Sequence, residues 1–230
     1  MYKQITTPAI ILSRTNFNEV DRIVNFLGPK GQFSCMVKGA RKPKSKLAGG
    51  IELFSVSQIT YLDTNAELKR IVQTKLLEHY GGIAKNLERM LFGYECMRQL
   101  KRIVPEMADE DGGDEYYLSL KILLESLERE NVGLNLIKLW WQTKTLEFAG
   151  QNLELHKDAE LKKLFEGQNY SFMMGTARLT PKDGGVINST AIKILRLMAE
   201  GRKPAELAKL KGVEQLSVAL YKELEAAVRE

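Results

Sequence analysis

Apolar residues follow two different periods along this chain, and the change falls near residue 80. Before it, short alternating or β-branched runs are broken by turn residues, which predicts strands. Ile5–Arg14 is one such run. Asp21–Gly28 alternates, with Ile23, Asn25 and Leu27 on one face and Arg22, Val24 and Phe26 on the other. Gly28–Gln32 (GPKGQ) reads as a turn, and Gln32–Lys38 follows as the second arm of a hairpin. Phe54–Asp63 presents Phe54, Val56, Gln58 and Thr60 on one side, with Val56 the expected inward anchor. Asn65–Glu67 makes a turn, and Leu68–Leu77 is a fifth strand leading towards a helix. Five short strands joined by hairpins fit a small barrel of the OB-fold kind.

Beyond residue 80 the spacing becomes helical. Ile83–Val104 carries Leu87, Met90, Leu91, Tyr94, Met97 and Leu100 at intervals of three and four. Pro105 ends that helix, and the acidic run Asp109–Glu115 connects it to the next. Tyr116–Glu130 and Val132–Gly150 are two further helices, the second stopped by Gly150. Asn188 or Ser189 caps a helix that ends at Gly201, Pro204 opens the next segment, and Val213–Glu230 closes the chain. Between these blocks Asn169–Ile187 is turn-rich and predicts an insertion or small β-hairpin. The expected fold class is α+β: an N-terminal five-stranded OB-fold barrel over residues 1–80, then an α-helical bundle over 81–230. A short inserted non-helical segment is expected at about 150–187.

Charge sharpens this division. The net charge is +5, but residues 1–80 hold 12 Lys and Arg against 6 Asp and Glu, whereas residues 81–230 hold 22 against 23. The basic excess therefore belongs to the barrel, a local asymmetry that points to a polyanion-binding surface. The composition, 44% hydrophobic and 27% charged, is that of an ordinary globular protein. No apolar run approaches the roughly 20 residues of a membrane span. The N-terminal stretch lacks a signal-peptide pattern, and the expected location is cytoplasmic.

Catalytic chemistry finds little support. Neither nucleotide-binding glycine motif is present. His79 and His156 have no nearby partners for nucleophilic catalysis and are expected at the surface or at helix ends. Cys35 and Cys96 have neither disulfide nor metal spacing, and Asp109–Asp114 does not match a calcium loop. No enzyme activity, cofactor or metal is expected.

The strongest feature is MVKGARKPKSK, Met36–Lys46, at the end of the third strand. Lys38, Arg41, Lys42, Lys44 and Lys46 can meet phosphates, with Gly39 allowing close backbone approach and Pro43 limiting the loop's freedom. Five phosphate contacts on a single strand give a log K against log salt slope of about −3.5. Arg14, Arg22, Lys30, Lys69 and Arg70 are candidates to extend the track. Phe17, Phe26, Phe33 and Tyr61 could stack on bases, although their apolar periodicity favours a core role. Trp140 and Trp141 cannot face the same way on a helix, so one is expected in the core and the other near a groove. Ala208 and Gly212 have helix-turn-helix spacing, but the helix that follows is net negative and suits phosphates poorly. An OB-fold RNA-binding protein, a helix-turn-helix transcriptional regulator and an interaction scaffold are the alternatives.

The stretch NEVDRIVNFLGPKGQFSCMVKGARKPKSKLAGGIELFS resembles the RecO family of bacterial DNA-repair recombination mediators. The resemblance lies in the E-x-D-R-I strand start, the G-P-K-G turn, the K-G-A-R-K-P-K-S-K run and the L-F-S that follows. It is specific over about 75 residues and continues beyond them in element order and length. It implies an OB-fold, a helical bundle and binding of single- and double-stranded DNA, with annealing of complementary strands. It also implies work with RecR, with the C-terminal tail of the single-strand-binding protein and, in loading, with RecA at the nucleoid. An acidic, apolar tail needs a basic groove, for which Arg89, Arg98, Lys101 and Arg102 are candidates. Many relatives insert a four-cysteine zinc module. Here NYSFMMGTARLTPKDGG stands in its place, with no cysteine after Cys96. Apolar contacts of Phe172, Met173 and Met174 are expected to hold this segment instead.

Overall fold

The computed structural model describes residues 3–63, 68–106 and 113–228. The turn expected at Asn65–Glu67 and positions 109–112 of the acidic run lie outside the described residues. The chain forms two compact units, residues 1–128 and 129–230.

The first unit is built on five strands among its described residues: β1 (Lys3–Phe17), β2 (Asp21–Gly28), β3 (Gly31–Val37), β4 (Ser55–Asp63) and β5 (Leu68–His79). They close into a barrel in the order β1-β2-β3-β5-β4, with β4 returning to β1. Every pair is antiparallel except β3 with β5. This is the expected OB-fold barrel. Its interior is filled by Ala9, Ile11, Val24, Phe26, Phe33, Cys35, Val37, Ile59, Tyr61 and Ile71. Each large apolar side chain buried there contributes about 1.5–3 kcal/mol.

Val56 is buried, but on the face of β4 opposite Ile59 and Tyr61. It lies across from Ile10 of β1. The extra residue at the register shift beside it, Leu77, belongs to β5, so β4 alternates without a break and the sequence pattern put the wrong face inward. β5 ends at His79 and is followed by a 3-10 turn, Gly81–Lys85. Glu128 fastens that turn by accepting the N–H groups of Gly82 and Ile83, each at 3.1 Å.

Two helices complete this unit: α1 (Leu87–Ile103) and α2 (Asp114–Glu128). Asn86 caps α1 by accepting the N–H of Arg89. The buried face of α1 carries Arg89, Gly93, Cys96, Met97 and Leu100. Leu87, Leu91 and Tyr94, which the apolar spacing assigns to the core stripe, are exposed, with the Tyr94 ring packed on Phe54. Lys121 of α2 binds Glu78 of β5 at 2.6 Å, and Tyr80 donates its hydroxyl to the same carboxylate. These two hydrogen bonds hold the Glu78 carboxyl below the usual carboxylate range.

The second unit contains α3 (Leu134–Phe148), α4 (Ser189–Ala199), α5 (Pro204–Leu207) and α6 (Val213–Val228), with a small hairpin of β6 (Tyr170–Phe172) and β7 (Leu179–Pro181). α3 packs on α6, and Glu214 of α6 accepts the N–H of Gly133 at the start of α3. Both tryptophans are buried, contrary to the expected division of roles. Trp140 Nε1 donates to the carbonyl of Arg202, and Trp141 packs edge-on against Phe148. Of the three side chains expected to hold the inserted segment, Phe172 is buried, whereas Met173 and Met174 are exposed. Tyr170, Leu155, Leu179 and Ile187 supply the remaining apolar anchors. The buried carboxylate of Asp158 organises a turn by accepting the N–H groups of Glu160 and Lys162, each at 2.9 Å. A four-cysteine zinc site cannot be assembled in this segment, because the chain has no cysteine beyond Cys96.

Candidate nucleic-acid interface

The strand order makes the basic stretch a crossover. β3 pairs with β5, so the chain must pass across the end of the barrel before β4 can begin. Residues 38–47 make that passage. Their backbone is fastened at several points. Gly39, at φ +65°, donates its N–H to Asp21 Oδ1 at 2.7 Å. The N–H of Arg41 binds the carbonyl of Val20 at 2.9 Å, and Ala40 is buried in the barrel. Lys42 and Ser45 continue with turn hydrogen bonds to Gly39 and Lys42. Leu47 packs on the barrel interior and its carbonyl accepts from Thr74 Oγ1 of β5. Gly50 lies so close to Thr74 that a Cβ would collide with it.

On this frame Lys38, Arg41, Lys42, Lys44 and Lys46 all point into solvent. Among the described residues Arg41 is the one of the five with a side-chain tether, a 3.3 Å bond to the carbonyl of Asn18. Arg22 pairs across β2 and β3 with Val37, and Arg70 pairs with Met36, so both lie beside the root of the loop. Phe17 at the end of β1 faces Asp21 and is 37% exposed. One aromatic and seven cations thus share one region of the barrel, an arrangement able to bind phosphates and stack a base.

The other candidates are placed differently. Arg14 is bound to Glu52 at 2.7 Å. Lys69 is bound to Asp63 at 2.9 Å and lies over the Tyr61 ring. Their charges are already balanced locally. Lys30 sits in the turn at the opposite end of the β2–β3 hairpin, roughly 23 Å from the loop for seven residue steps of strand. Phe26, Phe33 and Tyr61 are inside the barrel, their rings 5.0–5.2 Å apart in succession.

On α1, Arg89 is 9% exposed and donates to the carbonyls of Leu127 at 2.9 Å and Ser126 at 3.4 Å. It caps the end of α2 and is spent on the fold. Arg98, paired with Glu95, Lys101, at 3.2 Å from Ser13 Oγ, and Arg102 are exposed. His79 and His156 are exposed as well. Burial pushes the Cys35 thiol up to about 12, against the lowering effect of Lys69, and raises Cys96 well above the ordinary thiol range. Neither is a nucleophile near neutral pH. No cluster of metal-binding side chains occurs among the described residues. No helix among them is long and apolar enough to cross a membrane.

Fold and loop together define an OB-fold protein with an anchored cationic crossover at one end of its barrel. Residues 1–80 match the family described as Recombination protein O N terminal. Over 232 residues the chain is 28% identical to the DNA repair protein RecO of Roseiflexus sp., covering 97% of this chain and 78% of that protein. It is 26% identical over 238 residues to the DNA repair protein RecO of Dehalococcoides mccartyi, covering 97% and 87%. A shorter match of 100 residues to that of Rhodopirellula baltica reaches 33%, covering 43% and 37%. The first 80 residues thus match the N-terminal part of the RecO family, and the chain is similar to RecO proteins along 97% of its length.

Proposed function

We propose that the chain is a non-enzymatic mediator of DNA repair and homologous recombination in the bacterial cytoplasm. It binds single- and double-stranded DNA, anneals complementary strands and assists RecA loading together with RecR. The observation that carries this reading is the loop Lys38–Lys46, whose five exposed cations are displayed on a backbone fastened to the barrel. Repulsion between phosphates opposes the approach of two strands, and cations that neutralise both at once lower it. Because the loop is already ordered, less conformational entropy is lost on binding. The names of the relatives support the setting of repair. Arg98, Lys101 and Arg102 are the candidates for the acidic tail of the single-strand-binding protein.

The test is annealing of complementary single strands coated with single-strand-binding protein. Wild type is compared with a variant carrying R41A, K42A, K44A and K46A. All four side chains are exposed, so the variant should remain folded. Annealing by wild type and loss in the variant is the expected result. Equal annealing would move the DNA grip away from the loop, and no annealing by folded wild type would refute the mediator reading.

A further inference from the structure

We propose that a pocket in the second unit is a further contact for a single strand of nucleic acid, with Phe165 stacking on a base and Lys163 and Lys193 meeting its phosphates. The inference rests on the nucleic-acid reading above and adds a site to it. The pocket has a volume of about 240 Å³, and its lining includes Lys163, Phe165, Glu166, Ser189, Lys193 and Arg196.

Phe165 is 77% exposed, yet it stands on a fastened loop. Its N–H donates to the hydroxyl of the buried Tyr170 at 2.8 Å. The N–H of Leu164 binds the carbonyl of His156, and that of Gln168 binds the carbonyl of Phe165 itself. Just upstream, the turn at Asp158 holds Leu161 at φ +66°. A ring held in water by a fixed backbone forgoes the burial an aromatic side chain normally gains. Stacking against a base would recover part of it.

The charges beside the ring complete the site. Lys163 and Lys193 are exposed and make no ion pair among the described residues. Arg196 is held in place by Nε and Nη2 bonds of 3.1 and 2.6 Å to the carbonyl of Leu155, and contributes its charge from a fixed position. Glu166 is the acid of the lining, so cations outnumber it three to one. The Ser189 hydroxyl adds a neutral donor. A bound peptide would call for a longer apolar groove, whereas here the apolar lining besides the ring is Leu164 and Ile192. An aromatic face beside lysines is the pattern of a sequence-tolerant single-strand contact.

The experiment uses the full chain and a bromodeoxyuridine-substituted single strand, photocrosslinked and mapped by mass spectrometry. A crosslink at Phe165 is expected. Phe165→Ala should weaken binding roughly 5- to 100-fold, the range for loss of one base–aromatic stack. A variant with K163A and K193A should lower the salt slope by about 1.4. All three side chains are exposed, and circular-dichroism melting should match wild type. If wild type binds, both variants bind equally well and crosslinks fall only within residues 1–80, the inference is overturned and the proposed function stands. If folded wild type binds no single strand at all, both fail. If an acidic peptide with an apolar C-terminal residue binds and Phe165→Ala abolishes that alone, the pocket takes a peptide and the inference is overturned.

Discussion

Asp21 Oδ1 accepts the backbone N–H of Gly39 at 2.7 Å, tying the first residue of β2 to the head of the basic loop. An acid is thus placed among cations, where it reduces the local positive potential. Its service is geometric. It fixes the amide of a residue in the left-handed region, and from there the chain turns back to bind Val20 through Arg41. Order and charge pull in opposite directions at this one side chain, and substitution can separate them.

Asp21→Asn keeps an acceptor oxygen and removes the negative charge. Affinity for single-stranded DNA should rise roughly two- to fivefold at low salt, with loop protection unchanged. Asp21→Ala removes the acceptor as well. Loss of a hydrogen bond to a charged group, about 1.5–3 kcal/mol, should speed hydrogen exchange at the Gly39 amide on the order of 10- to 100-fold. Exchange read by mass spectrometry and binding read by anisotropy give the two answers separately.

Salt dependence reports how many loop cations touch phosphate. Removing Arg41, Lys42, Lys44 and Lys46 together should reduce the magnitude of the log K against log salt slope by about 2.8 on single strands. Lys30→Ala, at the far end of the β2–β3 hairpin, should leave the slope unchanged within error. A titration series over salt with each variant is sufficient, and a drop of about 0.7 for Lys30→Ala, the share of one phosphate contact, would show that DNA tracks the whole barrel.

Stability should fall in alkali. Burial raises Cys35 to about 12 from an ordinary 9.0, and Tyr61 to about 12 from 10.0. Tyr80 is raised further, by burial and by its bond to Glu78. The unfolded chain releases these protons at lower pH than the folded chain does. The stabilisation is therefore complete below about pH 9 and is lost progressively as pH climbs towards 12. Urea midpoints measured from pH 7 to 11 should be level at first and then decline. A thiol reagent at pH 8 should label both cysteines only on unfolding.

Arg89 should behave as a structural residue. Arg89→Ala leaves the carbonyls of Ser126 and Leu127 without this partner inside the fold and is expected to cost about 2–3 kcal/mol in urea unfolding. Arg102→Ala, on the exposed side of the same helix, should change stability by less than about 0.5 kcal/mol. If Arg89→Ala were neutral, its capping of α2 would have no energetic weight.

Much of the fold could be read from local pattern, because turns and helix ends are written in adjacent residues. The GPKG turn joins β2 to β3, Asn188 caps α4, and Gly150 follows α3 at φ +72°. What could not be read depends on neighbours distant in sequence. The apolar stripe Leu87–Leu91–Tyr94 lies outside because α2 covers the adjoining face of α1, where an arginine is the better fit for two open carbonyls. Val56 is buried on the outer face of β4, beside Ile10 of the neighbouring strand, and a buried outer face cannot be told from an inner one by alternation. Met173 and Met174 begin the 173–178 connection between β6 and β7, in which Ala177 takes the buried position. The loop cations were evident as a charge run, but the acids that balance Arg14 and Lys69 come from Glu52 and Asp63 across the fold. Phe165 carried no sequence signal, since an aromatic residue is more often buried than displayed.

The closing pairs of the barrel join distant parts of the chain: Lys3 lies opposite Asp63, and Ser34 opposite Leu68. Synthesis proceeds from the N-terminus, so the cations emerge from the ribosome before Thr74, which clasps Leu47, does. Until then they are a loose polycation beside ribosomal RNA. The finished barrel turns that adhesive tail into a shaped surface, and a message truncated before β5 would release the charge without the shape.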